Sequence, residues 1–291
     1  KGRAGDGVYH WDGKTFVFAS ELHTILGLPW IGQTLNQGML AEFLTMEHYS
    51  KNETFWKGLM RLEESYWMAV NRDGLRLEKY WKPDFSRVLT FKRDDEYIAH
   101  YSTLFFDSVR RMSRSHCPVA YEVSGGLDSS AVFGIAQRLL QEQRLPAPGI
   151  EGYTLAFPND KNANELEYSR AVGKHLGVEI CEVPPKDVPL SWYKDWASMY
   201  QEFPGYPNGF MSLGLRQKAR NYGCRVLLGG SGGDEWFGTD RGLYYTEELL
   251  SWHLYNLWRC FLTDCRETSV DKSFLWFLRF GIFPLLPSSL K

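Results

Sequence analysis

Ser124-Gly125-Gly126-Leu127-Asp128-Ser129-Ser130 decides the fold of this chain, because it joins a short apolar run to a helical pattern. The run Val119 to Val123 predicts a buried strand, and apolar residues at helical spacing follow at Val132, Ile135, Ala136 and Leu139. Two glycines let the backbone approach an anion, and the first N–H groups of a helix suit phosphate oxygens. Asp128 would repel bare phosphate, so it indicates a hard cation such as Mg²⁺ between the two. The plainer alternative is a tight turn in which Ser and Asp only cap the helix.

Strands and helices alternate on the C-terminal side of this turn. Strands are predicted over Gly152 to Phe157, Val178 to Val183 and Arg225 to Leu228. Helices are predicted between them, over Glu165 to Leu176 and Met211 to Tyr222. Such alternation produces parallel βαβ units, so we expect an α/β fold with a doubly wound parallel sheet. Ligands bind to these sheets at the carboxyl ends of the strands.

A second glycine-rich turn follows the last predicted strand, and it contains Gly229-Gly230-Ser231-Gly232-Gly233-Asp234-Glu235. Ordering so many glycines is entropically unfavourable, which suggests a ligand or another backbone close by; a flexible loop is the alternative. Asp234 and Glu235 supply oxygen atoms of the kind that Mg²⁺ prefers. Because both turns leave the carboxyl ends of strands, we expect them at one edge of the sheet, holding one magnesium triphosphate.

The first 88 residues have a different, strand-rich pattern. Lys14 to Phe18 predicts a strand, and Asn36 to Leu44 predicts a short helix. Asn71-Arg72-Asp73-Gly74 lies between two apolar runs and predicts a hairpin turn with Gly74 at positive φ. A boundary at Trp81 to Asp84 and a helix over Asp94 to Arg114 follow. We therefore predict one domain over residues 1–88 and a second over residues 89–291.

The composition excludes several classes of protein. Lys and Arg number 33 against 35 Asp and Glu, so the net charge of −2 leaves no broad basic surface for nucleic acid or an anionic membrane. The most apolar stretch, Ser273 to Pro287, contains Arg279 and falls short of the roughly 20 apolar residues that span a bilayer. It predicts a buried helix, and the wider segment Trp252 to Phe283 predicts a helical core or a docking surface. Five scattered cysteines favour reduced thiols and a cytoplasmic location.

The two glycine-rich turns resemble a known family. The first is similar to the pyrophosphate loop of the N-type ATP pyrophosphatases, and Gly229 to Gly238 resembles an element of the asparagine synthetases. Tyr153 to Phe157, Asn164 to Tyr168 and His175 to Gly177 look like the second strand and helix of that family. The early segments Phe18 to Leu22, Gly58 to Leu62, Asp73 to Leu75 and Tyr80-Trp81 resemble the tail of a class II glutamine amidotransferase domain.

The resemblance implies a fold, a reaction and a set of residues. The fold would be adenine nucleotide alpha hydrolase-like and Rossmann-like, preceded by part of an α+β N-terminal-nucleophile amidotransferase domain. The reaction would be ATP-dependent adenylation of a carboxylate, aspartate by default, followed by amide formation with ammonia from glutamine. Carried over by position, Ser124, Gly125, Gly126, Asp128, Ser129 and Ser130 bind pyrophosphate, and Asp128 and Asp234 bind Mg²⁺. Val123, Leu155, Gly229 and Gly230 line the adenosine pocket, although Val123 and Leu155 also suit a strand core. The implied catalytic set is Asp128, Ser231, Asp234 and Glu235.

Several residues depart from the family pattern. Asparagine synthetases have a Glu at the position of Ser231, where it is thought to serve the adenylated substrate, whereas relatives that form macrolactams or β-lactams do not. Asn164 stands where Asp is usual, and neither Lys272 nor Lys291 has the context of the family's late lysine. No cysteine precedes Cys117, so the N-terminal thiol nucleophile of the amidotransferases is not in this sequence.

The overall expectation is an asparagine synthetase-like ligase that lacks glutaminase activity on its own. Its expected partners are a small-molecule carboxylate, ATP, and glutamine or ammonia, with no nucleic acid and no membrane; a homodimer is one candidate assembly. The alternatives are a macrolactam- or β-lactam-forming cyclase and a catalytically inactive ATP-binding member. Lys1 falls past the amidotransferase nucleophile and Lys291 before the end of the synthetase pattern, so we expect a truncated domain at each end.

Overall fold

A computed structural model of the chain describes residues 7–47, 49–160, 163–203, 209–234 and 241–287. Its described residues divide into two compact units. The first holds the residues up to Phe105 together with those of the segment Pro184–Lys218. The second holds Phe106–Val183 and the residues from Ala219 onward.

The first unit contains a small antiparallel sheet and a hairpin. Strands β1 (Val8–Trp11), β2 (Phe16–Ala19) and β3 (Leu59–Arg61) pair in the order β2-β1-β3. Helix α1 (Leu22–Leu26) packs on this sheet, and its apolar side chains share a core with Val8, Ile31 and Leu59. Helix α2 (Gln37–Thr45) begins at Asn36, whose side chain accepts from the N–H groups of Gly38 and Met39.

The predicted hairpin is confirmed. Strands β4 (Tyr66–Asn71) and β5 (Gly74–Lys79) pair antiparallel, with Asn71 opposite Gly74. Gly74 has a φ of 132°, which is the positive value that the turn requires and that favours glycine.

Within the first unit, the segment Pro184–Lys218 packs on the residues that come earlier in the chain. It contains α6 (Leu190–Tyr200), a 3₁₀ turn (Gly209–Ser212) and most of α7 (Leu213–Asn221). The Trp56 indole donates to the carbonyl oxygen of Gln201 at 2.8 Å, and Arg61 forms an ion pair with Glu202. The Phe203 ring stacks on Phe43 at 4.7 Å between centroids. Three consecutive residues of this segment therefore contact the earlier residues of the same unit, and the sequence pattern did not predict these contacts.

The second unit is built on a parallel four-stranded sheet. Its strands are β6 (Val119–Glu122), β7 (Ile150–Leu155), β8 (Ile180–Val183) and β9 (Val226–Leu228), in the order β8-β7-β6-β9. Helix α4 (Leu127–Gln141) connects β6 to β7, and α5 (Leu166–Leu176) connects β7 to β8. Helix α3 (Asp94–Met112) precedes β6. The prediction of a mixed α/β chain with a parallel sheet is confirmed, and the observed strands lie within two residues of the predicted ones.

The strand order brings the two glycine-rich turns together. Strand β6 pairs with β7 on one side and with β9 on the other, and Tyr121 is level with Leu228. Val119, Ala120, Tyr121 and Val123 are fully buried, so β6 is the centre of the core. The turns after β6 and β9 consequently start beside each other at the carboxyl edge of the sheet.

The C-terminal segment consists of short helices. Helices α8 (Arg241–Leu250), α9 (Leu254–Glu267) and α10 (Val270–Trp276) lead into a π-helical turn (Phe277–Ile282) and a 3₁₀ turn (Phe283–Leu285). The predicted buried helix over 273–287 was wrong in part, since Phe274 and Leu275 are more than half exposed and the α-helix ends at Trp276. Gly281 and Pro284 oppose a regular α-helix here. None of the described helices has the length and hydropathy needed to cross a membrane.

Candidate functional site

The turn after β6 folds around its own serine hydroxyls. Gly125 has a φ of 93°, which reverses the chain between strand and helix. The hydroxyls of Ser124 and Ser129 lie 2.9 Å apart, and the Gly126 N–H donates to the Ser124 Oγ at 3.2 Å. These contacts fold the turn into a small cradle.

The start of α4 faces the same cradle and has no side-chain cap. Gly126 is the N-cap residue, and it has no side chain that could satisfy the first N–H groups of the helix. A 15-residue helix directs the positive end of its dipole to this point. The backbone therefore offers donors and partial positive charge to an anion such as phosphate.

Ser130 contributes a hydroxyl that is ready for a ligand. Its Oγ is buried and has no hydrogen-bond partner among the residues that the structure describes. Buried polar atoms nearly always have a partner, so an orphaned hydroxyl one turn into this helix needs an explanation. A phosphate oxygen in the cradle would supply the missing acceptor.

The turn after β9 lies directly against the first turn of α4. A Cβ atom added to Gly230 would be 2.6 Å from the Ser129 nitrogen and 2.9 Å from the Asp128 Cβ. A Cβ atom on Gly233 would overlap the Asp128 carboxylate. Only glycine fits at position 230, because an added side chain would collide with the backbone of α4, whereas a side chain at position 233 would require the Asp128 carboxylate to move. The predicted meeting of the two turns at one edge of the sheet is thus confirmed.

A third element closes the cradle from the other side. A Cβ atom on Gly125 would be 2.8 Å from the Ser169 nitrogen and would overlap Tyr168, so the first turn of α5 packs backbone to backbone on this glycine. Ser169 is fully buried there, whereas the Tyr168 ring is exposed. The position of the turn after β6 is therefore fixed by both α5 and the turn after β9.

The carboxylates of this edge suit a magnesium ion shared with phosphate. Asp128 is half-buried, and Asp234 is exposed and follows Gly233, which touches Asp128. Within the described ranges no cluster of three or more His, Cys, Asp or Glu side chains could hold a metal. Mg²⁺ commonly binds one or two carboxylates plus substrate phosphates, and two carboxylates beside a phosphate cradle match that arrangement.

The other predicted residues occupy different positions. Val123 is fully buried and its N–H donates to the Tyr153 carbonyl at 2.7 Å, whereas Leu155 is half-buried at the end of β7. Ser231 is exposed in the second turn. Glu235 lies outside the described residues, so its predicted role stays a prediction.

Sequence reasoning overlooked Glu122, the last residue of β6. Its Oε2 lies 3.2 Å from where a Cβ on Gly229 would be, so the carboxylate reaches across to the beginning of the second turn. A charged residue within an otherwise apolar run, two residues before a glycine-rich turn, was the feature that could have revealed it.

Comparison with known proteins gives two family matches. The asparagine synthase family model matches residues 100–278, and the model of a glutamine amidotransferase domain matches residues 7–81. The first match covers more than half of the chain and includes both glycine-rich turns.

Individual relatives are similar at modest identity. A putative glutamine-hydrolysing asparagine synthetase of Methanocaldococcus jannaschii is 28% identical over 79% of this chain and 44% of its own length. Amidase chyE of Penicillium rubens is 26% identical over 64% of this chain and 30% of its own length. Asparagine synthetase 3 of Bacillus subtilis is 33% identical over 44% of this chain and 21% of its own length. The chain thus spans less than half the length of these relatives.

Proposed function

Because the chain belongs to the asparagine synthase family, we propose that the two glycine-rich turns bind ATP for adenylation of a carboxylate. The observation that carries the proposal is the contact of Gly230 and Gly233 with the first turn of α4. It unites an uncapped helix start, an orphaned serine hydroxyl and two carboxylates at one edge. This combination supports a triphosphate site over the alternative of a turn whose Ser and Asp only cap the helix.

The proposed reaction has two steps. First, an oxygen of the substrate carboxylate attacks the α-phosphorus of ATP, and the bond to the bridging oxygen breaks, so that pyrophosphate leaves. Then an amine nitrogen, ammonia in the default case, attacks the acyl carbon and loses a proton as AMP departs. The proposed catalytic set is Asp128, Ser231, Asp234 and Glu235.

In the first step the cradle would hold the leaving pyrophosphate. The N–H groups at the start of α4 and the hydroxyls of Ser124, Ser129 and Ser130 would donate to its oxygens, which stabilises charge that grows as the bond breaks. Asp128 and Asp234 would hold Mg²⁺, which when bound neutralises the phosphate charge. Val123, Leu155, Gly229 and Gly230 would border the adenosine, Val123 through its backbone because its side chain is buried.

The remaining proposals concern the organisation of the chain. We propose a doubly wound, adenine nucleotide alpha hydrolase-like fold for residues 89–291, which the strand order β8-β7-β6-β9 supports. Residues 1–88 would be the later part of an amidotransferase domain that delivers ammonia, supported by the match over residues 7–81. The first 116 residues contain no cysteine, so this part would not hydrolyse glutamine itself. Five free thiols support a reducing, cytoplasmic location, and a homodimer stays a prediction.

One observation favours a second candidate, a cyclase that forms a lactam. Ser231 replaces the Glu of asparagine synthetases, and relatives from Penicillium rubens and Gibberella zeae carry the name amidase. Neither the residues of this site nor the names of the relatives therefore identify aspartate as the carboxylate substrate.

The test is exchange of labelled pyrophosphate into ATP by the 291-residue chain, with aspartate, other carboxylates and peptides as separate additions. Exchange that requires aspartate supports the asparagine synthetase reaction, whereas exchange only with a peptide supports the cyclase. ATP binding without any exchange would indicate an inactive ATP-binding member. We expect Asp128→Ala and Asp234→Ala to abolish exchange while the circular dichroism spectrum stays that of the wild type.

A further inference from the structure

Glu122 occupies the point where the strand order reverses. Strand β6 continues through α4 to β7 on one side, while β9 lies on its other side, so the crevice between β6 and β9 is the switch point of the sheet. Ligands of open α/β sheets bind outside the carboxyl ends of the strands at such a point. Glu122 is the last residue of β6 and lies beside Gly229, the first residue after β9.

Glu122 faces the opposite side of β6 from Tyr121 and Val123, because neighbouring residues of a strand alternate between its two faces. It shares its face with Ala120, which is fully buried, whereas Glu122 itself is half-buried at the end of the strand. Its side chain lies beside Gly229, where an added Cβ would be 3.2 Å from the Glu122 Oε2. A glycine at 229 leaves this space to the carboxylate and to whatever binds there.

The glycines of the second turn show in which sequence the side chains of β6 and α4 follow one another along the crevice. Glu122 lies beside Gly229, Ser129 lies beside Gly230, and Asp128 lies beside Gly233. Consecutive Cα atoms are about 3.8 Å apart, so Glu122 and the phosphate cradle are neighbours within the span of one nucleotide. The cradle is rich in donors, whereas Glu122 is an acceptor that repels phosphate. The phosphate and nucleoside ends of a nucleotide are therefore matched by different groups.

We propose that Glu122 determines nucleotide specificity by accepting a hydrogen bond from the nucleoside end of ATP. The donor is either the exocyclic amine of adenine or a ribose hydroxyl, since each presents an N–H or O–H that an ionised carboxylate accepts. The proposal rests on the proposed function, because it requires ATP in the crevice.

The experiment measures the affinity of the wild type, Glu122→Gln and Glu151→Gln for ATP and for tripolyphosphate, all with Mg²⁺. Glu151 is the matched control because it lies in β7 opposite Ala120, away from the carboxyl edge. We expect Glu122→Gln to weaken ATP binding about tenfold, as for loss of a charge-assisted hydrogen bond, and to leave tripolyphosphate binding unchanged. Glu151→Gln should bind both ligands like the wild type.

Nucleotide analogues identify the donor and make the test independent of the variant's folding. Wild-type chain is titrated with inosine triphosphate, 2′-deoxy-ATP and 3′-deoxy-ATP, each of which lacks one donor. We expect the wild type to bind one of these analogues about tenfold more weakly than ATP. Glu122→Gln should bind that analogue and ATP with the same affinity.

Two results would overturn the proposal while ATP binding stands. One is equal affinity of the wild type for ATP and all three analogues, and the other is an equal loss of ATP and tripolyphosphate binding in Glu122→Gln. Failure of the wild type to bind ATP is a different result, because it refutes the proposed function, and the role of Glu122 then falls with it.

Discussion

Replacing Gly230 by alanine tests whether the second turn supports the phosphate cradle. The added Cβ would be 2.6 Å from the Ser129 nitrogen, and ordinary contacts begin at 3.4 Å, so the turn and α4 must separate by about 0.8 Å. The atoms in the way are the backbone nitrogen and Cα of Ser129 and the Cβ of Asp128, none of which a change of rotamer moves. Overpacking of this kind destabilises a protein by about 1–3 kcal/mol.

The expected result has two parts. The melting temperature should fall by about 2–4 °C for each kcal/mol lost, measured by circular dichroism. Affinity for ATP should fall at least about tenfold, measured by isothermal titration calorimetry, since a displacement of about 1 Å moves Ser129 and Asp128 out of position.

Gly134→Ala is the matched control, because it lies in the same helix and an added Cβ would meet nothing within 4 Å. Alanine should stabilise α4 there by about 0.5–1 kcal/mol and leave ATP affinity unchanged. The reasoning is refuted if Gly230→Ala melts and binds ATP like the wild type, or if both variants lose affinity equally.

Three further variants test single contacts. Ser130→Ala should leave stability nearly unchanged, because the hydroxyl has no partner among the described residues, but weaken pyrophosphate binding by roughly two- to tenfold in calorimetry. Trp56→Phe should lower the free energy of unfolding in urea by about 1 kcal/mol, since the Gln201 carbonyl loses its donor. The hydrogen bonds from Arg170 lower the pKa of Glu182 in the folded protein. They therefore stabilise the fold in full above the ordinary carboxyl pKa, and this stabilisation is lost as the pH falls through the lower pKa of the folded state. Glu182→Gln should therefore show a shallower loss of stability than the wild type in urea titrations below about pH 4.5.

Local patterns predicted the elements that depend on nearby residues. The hairpin at Gly74 needed only a turn residue between two apolar runs, and the helix over 166–176 ended at Gly177, which has a φ of 68°. The meeting of the two glycine-rich turns was also predictable, because parallel strands share a carboxyl edge. These features follow from backbone preferences and the periodicity of apolar residues.

Other features depend on distant contacts that no pattern contains. Strand β1 is only four residues long, and β3, one of its partners, begins about fifty residues later. The docking of Gln201, Glu202 and Phe203 joins residues more than 140 positions apart. Glu122 lies within the run Val119 to Val123 and was overlooked, because its position beside Gly229 arises only from the pairing of β6 with β9. The C-terminal apolar side chains were expected inside, since composition alone does not distinguish burial from exposure.

A double-mutant cycle on Asp128 and Asp234 tests the central claim most directly, namely that both turns bind one ATP. ATP affinity with Mg²⁺ is measured for the wild type, Asp128→Asn, Asp234→Asn and the double variant. If both carboxylates serve one cation and one triphosphate, either loss removes the same interaction, and the double variant should bind no more weakly than the weaker single variant, within about 0.5 kcal/mol. If the losses of binding free energy in the two single variants add in full in the double variant, the carboxylates act independently, which contradicts a shared site.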